Sequence, residues 1–226
     1  MDTKGLQNAM EARARMYGML SRVYLKEVDG EFLDELKSMR FPQNTGNEVA
    51  DAAYLRLYEY LRKTPESVLD DLAVDYARAF IGSGSLDAHA AYPYESVYTS
   101  STGLTMQEAR DDVLAIYRAN ALDKSPHWRE SEDHAALELL FLKILSERTR
   151  HALANGDDRQ AKNLLETQKN FLNDHVLNWM GMLVQDVPLY VKHDFYQAFA
   201  TLTWEFVNED HAFLNEATAH STLQED

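Results

Sequence analysis

A helical apolar period recurs along this chain from its first tens of residues to its last, and that rules out most folds before composition is considered. Met10, Tyr17, Leu20 and Tyr24 fall on one stripe of a first helix over about residues 5–26. Phe32, Leu33, Leu36 and Met39 mark a short second helix that stops before Pro42, because the residue ahead of a proline is pushed out of helical geometry. After an Asn44–Asn47 turn, Val49, Ala53, Leu57 and Leu61 resume the spacing. Thr64-Pro65 reads as an N-cap and a first-turn proline opening a helix whose face carries Val68, Leu69, Leu72, Tyr76 and Phe80. Thr105 and Glu108 have capping-box spacing ahead of Val113, Ile116 and Tyr117. The strongest pattern, Leu137, Leu140, Phe141, Ile144 and Leu145, ends near Asn155-Gly156. Leu164 to Leu183 carry one long face ended by Pro188, and Phe195, Phe199, Leu202 and Phe206 make the last clear helix. With no alternating strand, Asn-Gly hairpin or internal repeat, the expectation is an all-α fold: one irregular helical domain over residues 1–226, of about nine or ten helices.

Two intervals break the period. Residues 82–104 are punctuated by Gly82, Gly84, Pro93 and Gly103 and hold Tyr92, Tyr94 and Tyr98. A loop this long in a compact domain is either functional or disordered, and the aromatic content favours an ordered, mostly non-helical connection. The polar interval 120–131 reads as a hinge, and residues 215–226 as a mobile tail.

Charge and cysteine content narrow the function. The 226 residues carry 37 acidic and 22 basic side chains, a net charge of −15, which repels nucleic-acid phosphates and attracts cationic partners. There is no cysteine, so disulfides, thiolate metal sites and cysteine nucleophiles are all excluded. No run approaches the ~18–20 apolar residues of a membrane span, and the first residues lack the apolar core of a secretory signal, so a cytoplasmic protein is expected.

Catalytic motifs are missing. There is no GxxxxGK[ST], GxGxxG or HExxH, and no histidine has an acidic residue three positions before it, as a di-iron bundle site would need. The densest polar cluster is Glu130-Ser131-Glu132-Asp133-His134, at the start of the strongest helix. Ser131 as N-cap, with Glu132 and Asp133 in the first turn, explains three of the five residues. His134 is left over, since an imidazole is expected to gain nothing from the N-terminal end of a helix dipole. It is open to a structural, ligand-binding or catalytic role. A similar triplet, Glu209-Asp210-His211, has no matching flanks and reads as coincidence, which makes Asp210 a neutral control. Tyr92-Pro93-Tyr94-Glu95-Ser96-Val97-Tyr98 is the other anomaly, either a loop closing over the core or an interface.

Taken in order, Phe80-Ile81-Gly82, then Pro93 to Tyr98, then Glu130 to His134, followed by His175, Trp179 and Asp194-Phe195-Tyr196, resemble the TorD/DmsD family of redox-enzyme maturation chaperones across roughly residues 10–207. Ser131 stands where the family's Glu-Pro-x-Asp-His pattern has proline. The resemblance implies a cytoplasmic, all-helical chaperone that binds the twin-arginine signal peptide, the apo form, or both, of a molybdenum-cofactor oxidoreductase. Such a chaperone assists cofactor insertion and delays export. A guanine-nucleotide interaction has been proposed for members, but no residue here supports it. The peptide-binding residues implied are Phe80, Gly82, Pro93, Tyr94, Glu95, Ser96, Tyr98, Glu130, Glu132, Asp133 and His134, with the aromatics seating an apolar run and the carboxylates pairing with arginines. No catalytic residue, metal ligand or cofactor is assigned, and the partners expected are the leader and body of such an enzyme rather than nucleic acid or membrane. The long intervals 82–104 and 120–131 suggest a monomer with a minor domain-swapped dimer. Two alternatives remain: a nitrate-reductase-type assembly chaperone that contacts the enzyme subunit without binding a signal peptide, and a small metal-dependent hydrolase centred on Glu130, Asp133 and His134.

Overall fold

The computed structural model describes residues 2–65, 67–83 and 89–222, and every regular element among them is helical. In chain order these are α1 (Thr3–Leu25), α2 (Gly30–Ser38), α3 (Glu48–Arg62), α4 (Val68–Tyr76), α5 (Glu95–Thr99), α6 (Glu108–Ala119), α7 (Ala135–Ala154), α8 (Asp158–Phe171), α9 (Met180–Tyr190) and α10 (Asp194–Thr222). Two π-helical turns follow α4 and α8, at Ala77–Ile81 and Leu172–Val176. The chain divides into two compact units interleaved along the sequence. One comprises Met1–Arg22, Tyr94–Trp179 and Val207–Asp226, the other Val23–Pro93 and Met180–Phe206.

Short polar side chains start several helices by accepting first-turn N–H groups that have no intrahelical partner. Asp29 accepts from Phe32 N, Asn47 from Val49 N and Ala50 N, and Asp157 from Gln160 N. Other starts differ from the sequence expectation. Helix α4 begins behind Ser67, because the Thr64 hydroxyl donates to Leu61 O at 3.3 Å and so ends α3 instead. The Thr105/Glu108 box does not form. Gln107 is the N-cap of α6, and its N–H donates to Ser96 Oγ at 3.2 Å, tying α6 to the preceding segment.

The single long face expected over Leu164–Leu183 is two helices. An i→i+5 bond from Leu177 N to Leu172 O, 2.9 Å, closes the π turn and separates α8 from α9. Pro188 does not end α9 but sits inside it, near its C-terminus, at the cost of one intrahelical N–H donor. Helix α10 continues well past Phe206 to Thr222, through residues expected as a tail, while 223–226 lie outside the described residues. The 82–104 interval contains α5, and its Gly84 also lies outside the described residues.

In the first unit α7 is buried on nearly every side. Ala135 through Leu139 are all buried, and the helix packs along α8, with Phe141, Phe171 and Tyr117 clustered at centroid distances of 4.6–6.1 Å. In the second unit Phe80 meets Tyr24, Tyr76 and Tyr196 at 5.6, 5.2 and 5.5 Å, all edge-on. Each such pair contributes about 0.5–1.5 kcal/mol beyond its area burial. The fully buried Asp75 accepts from Lys192 N and His193 N and thereby fixes the turn between α9 and α10.

Candidate functional site

The two sequence anomalies within the first unit do meet. Tyr94 and His134 form an isolated antiparallel bridge, and Glu95 N donates to Asp133 O at 2.9 Å. The Asp133 carboxylate then does for α5 what an N-cap would. Its Oδ2 accepts from Ser96 N at 3.0 Å and from the Ser96 hydroxyl, so a residue 37 positions away starts this short helix. Tyr94 donates its hydroxyl to Glu130 Oε2 and packs edge-on against the His134 ring at 4.9 Å. Glu132 is gripped by Arg110 Nε at 2.7 Å and Lys124 Nζ at 3.1 Å. Burial raises its pKa, but these two donors outweigh burial and hold it below the ordinary carboxylate value.

The helix cap is a correction to the sequence reading. Helix α7 starts at Ala135 with His134 as its N-cap, not Ser131. His134 Nδ1 accepts from Ala136 N at 3.0 Å, so the ring is neutral with its proton on Nε2. Burial lowers the His134 pKa to about 4 against an opposing pull from Glu130. A histidine does gain from a helix N-terminus when it is the neutral acceptor. The Ser131 hydroxyl is buried without a hydrogen-bond partner.

Behind this bridge lies a set of carboxyl groups the sequence reading had not assembled. Glu95 is met by His175 Nδ1 at 3.1 Å and Asn178 Nδ2 at 2.8 Å. Glu138 Oε2 accepts from Trp179 Nε1 at 3.1 Å, its Oε1 is buried with no hydrogen-bond partner among the described residues, and a proton on the group removes the charge that burial disfavours. Burial, followed by the charges of Glu95 and Asp133, pushes the Glu138 pKa well above the ordinary carboxylate range, so the proton sits there. Tyr98 stacks on Trp179 at 5.6 Å and closes the cluster on one side. In the sequence Glu138 lies four residues after His134, a spacing that by itself says little. Its better signal was an acidic residue inside the otherwise apolar run Ala135–Leu142.

A buried acid whose folded pKa is raised favours folding most below its unfolded value, and that contribution is lost as pH rises toward the folded value. Glutamine can accept from Trp179 in the same place and stays neutral at every pH. Glu138→Gln is therefore expected to be more stable than wild type in urea at pH 8, with the gain shrinking toward pH 5. An equal difference at both pH values would rule out a proton held on Glu138.

Eight of the residues expected to bind peptide are thus in one unit: Tyr94, Glu95, Ser96, Tyr98, Glu130, Glu132, Asp133 and His134. The other three belong to the second unit and are structural there. Phe80 is the hub of an aromatic core rather than a groove surface. Gly82 ends the π turn at φ 78°, where a Cβ would collide with the Tyr92 hydroxyl, and Pro93 is buried. The carboxylates were expected free for arginines, but Glu95, Glu132 and Asp133 are buried and paired internally. Tyr94, Tyr98 and Glu130 are the half-exposed members. For the hydrolase alternative the geometry is unfavourable: His134 Nδ1 is occupied, and among the described residues no three His, Asp or Glu side chains are disposed to hold a metal.

Residues 45–185 match the family model described as nitrate reductase delta subunit, well over half of the chain. This chain belongs to that family, the TorD family. Curated relatives named chaperone protein TorD align along most of it. The protein from Vibrio atlanticus is 28% identical over 222 residues, covering 94% of this chain and 98% of the relative, and that from Shewanella oneidensis is 27% identical over 224 residues, covering 95% of each. One from Photobacterium profundum is 29% identical over 152 residues, covering 67% of this chain and 68% of its own length. TorD-family proteins are redox-enzyme maturation chaperones, and this chain is accordingly not an enzyme. No helix among the described residues is long and apolar enough to cross a membrane.

Proposed function

We propose that this chain is a cytoplasmic chaperone that binds the twin-arginine signal peptide of a molybdenum-cofactor oxidoreductase, holding export back while the cofactor is inserted. The observation that carries this reading is the bond of the fully buried Asp133 carboxylate to Ser96, which fixes the Tyr94–Tyr98 segment against Glu130 to His134. The result is a pre-organised ledge whose half-exposed members, Tyr94, Tyr98 and Glu130, offer aromatic surface and one carboxylate to a basic, apolar peptide. The net charge of −15 speeds encounter with such a peptide. Asp133 acts here by positioning the ledge and not by touching the peptide.

Asp133→Ala removes the bonds that pre-organise the ledge, so leader binding is expected to weaken by about tenfold in calorimetric titration, because the peptide must then order the Tyr94–Tyr98 segment itself. Asp112→Ala, which removes the same charge from an exposed position on α6, serves as the control and should leave affinity nearly unchanged. Leader affinity unaltered in folded Asp133→Ala would place the binding surface elsewhere. The family match to nitrate reductase delta subunit favours a second reading, in which the chaperone holds the enzyme subunit and ignores its leader. Titration with the leader alone and with the leaderless apo-enzyme separates the two.

A further inference from the structure

A second apolar surface lies in the same compact unit as the carboxyl cluster, on the stretch of α7 that also carries Glu138. Leu137, Leu140, Phe141 and Ile144 recur there at helical spacing, and with Leu122 and Trp128 from the 120–131 interval they line a cavity of about 190 Å³ that opens to solvent. Leu140 and Ile144 are only half-buried, so the chain leaves this stripe incompletely covered. A dry apolar cavity of ~150 Å³ already accepts a benzene ring, so the space here suits one leucine or phenylalanine side chain.

Three further observations specify the occupant. The Trp128 indole N–H is buried without a hydrogen-bond partner, which leaves the covering segment short of an acceptor that a peptide carbonyl could supply if the segment adjusts. At the rim, Lys124 is already taken by Glu130 O at 2.6 Å and by Glu132 at 3.1 Å. The exposed Asp123 carboxylate accepts from the backbone N–H of Lys124, and among the described residues no cationic side chain meets it. The cavity is also joined to the ledge, since Tyr117 in its wall donates to Glu132 O at 3.2 Å.

We propose that this cavity is an apolar anchor site for the client polypeptide, taking one large aliphatic or aromatic side chain next to a basic residue that pairs with Asp123. The inference rests on the leader-binding reading and adds where the apolar run is held. The probe is a synthetic peptide with an arginine pair followed by a leucine-rich run, compared with the same peptide carrying serines for leucines. The full chain is labelled with nitrogen-15, and the indole signals of its 3 tryptophans are followed. The leucine peptide should move the Trp128 indole signal, and the serine peptide should not. Ile144→Trp, which fills the cavity from a half-exposed position, should weaken leucine-peptide binding at least about tenfold, because the apolar burial is lost. Binding of equal strength in wild type and Ile144→Trp, with the Trp128 signal unmoved, overturns the anchor site and leaves the leader reading standing. No binding of the leucine peptide to wild type overturns both. The Trp128 readout is made on wild-type protein, so it holds even if the variant fails to fold.

Discussion

Replacing Asp210 with alanine is expected to destabilise the protein by about 3–5 kcal/mol, a fall in Tm of about 10 °C for a chain of this length. Within the first unit Asp210 and Arg13 form a two-point pair, with Nη2 to Oδ2 at 2.9 Å, and Tyr17 donates its hydroxyl to the same carboxylate. Arg13 also donates to Gln168 Oε1 at 2.7 Å. Burial opposes the Arg13 charge, but Asp210 outweighs burial and keeps the guanidinium pKa raised. Arg13 is 5% exposed, so without Asp210 a charge is left in the interior with nothing of opposite sign beside it. Urea unfolding of Asp210→Ala and of the double variant Arg13→Met/Asp210→Leu measures this. The double variant should recover most of the loss, because a buried ion pair contributes little over well-packed apolar residues while half of one is strongly unfavourable. An Asp210→Ala protein as stable as wild type would show that water reaches Arg13. The triplet Glu209-Asp210-His211 read as coincidence in the sequence and Asp210 as a neutral control. In fact its middle residue anchors α10 to α1, so it cannot serve as a control for peptide binding.

Stability should also fall by about 3 kcal/mol between pH 6.5 and about pH 4 through His134 alone. The folded state holds this ring neutral as a helix cap, whereas the unfolded chain protonates it at the ordinary value. A group with a depressed folded pKa contributes fully above its unfolded pKa, and that contribution disappears as pH drops toward the folded one. Asparagine caps helices well and does not titrate, so His134→Asn should flatten this limb of the stability profile. The remaining acid sensitivity, from groups such as Glu132, should persist in both proteins. Parallel acid limbs for wild type and His134→Asn would mean that His134 is not the neutral cap.

The helices were legible in the sequence because one apolar stripe needs only spacing, and the stripes of α1, α3 and α7 lie where the period puts them. Boundaries were less legible. Thr105 and Ser131 have the chemistry of caps, but tertiary bonds decide which N–H groups remain to be satisfied, and Gln107 and His134 took those places. The candidate site was half-legible. The Pro93–Tyr98 and Glu130–His134 segments could be singled out as exceptions to the period, and they do pair. What periodicity cannot express is whether a carboxylate is already engaged. Glu132 finds its cations on α6 and in the 120–131 interval, and Glu95 finds its partners 80 residues away. Phe80 was misjudged for a related reason. The period placed Phe80 on the apolar face of a helix, and its packing against three tyrosines follows from that face rather than from the Phe80-Ile81-Gly82 motif.

The π turn at Leu172–Val176 sets the frame of the side chains in it and just beyond it. An i→i+5 turn holds one residue more than an α turn, so these side chains are displaced by about 100° from where continuous helix would carry them. His175, Asn178 and Trp179 reach Glu95 and Glu138 in that shifted frame. Shortening the segment by one residue would leave a better helix and a worse site, with all three side chains turned together onto a different face. Substitutions among these residues are thus separable events, but a one-residue deletion is not. In any alignment of relatives, a gap here marks a change of architecture around the carboxyl pair and not a trimmed loop.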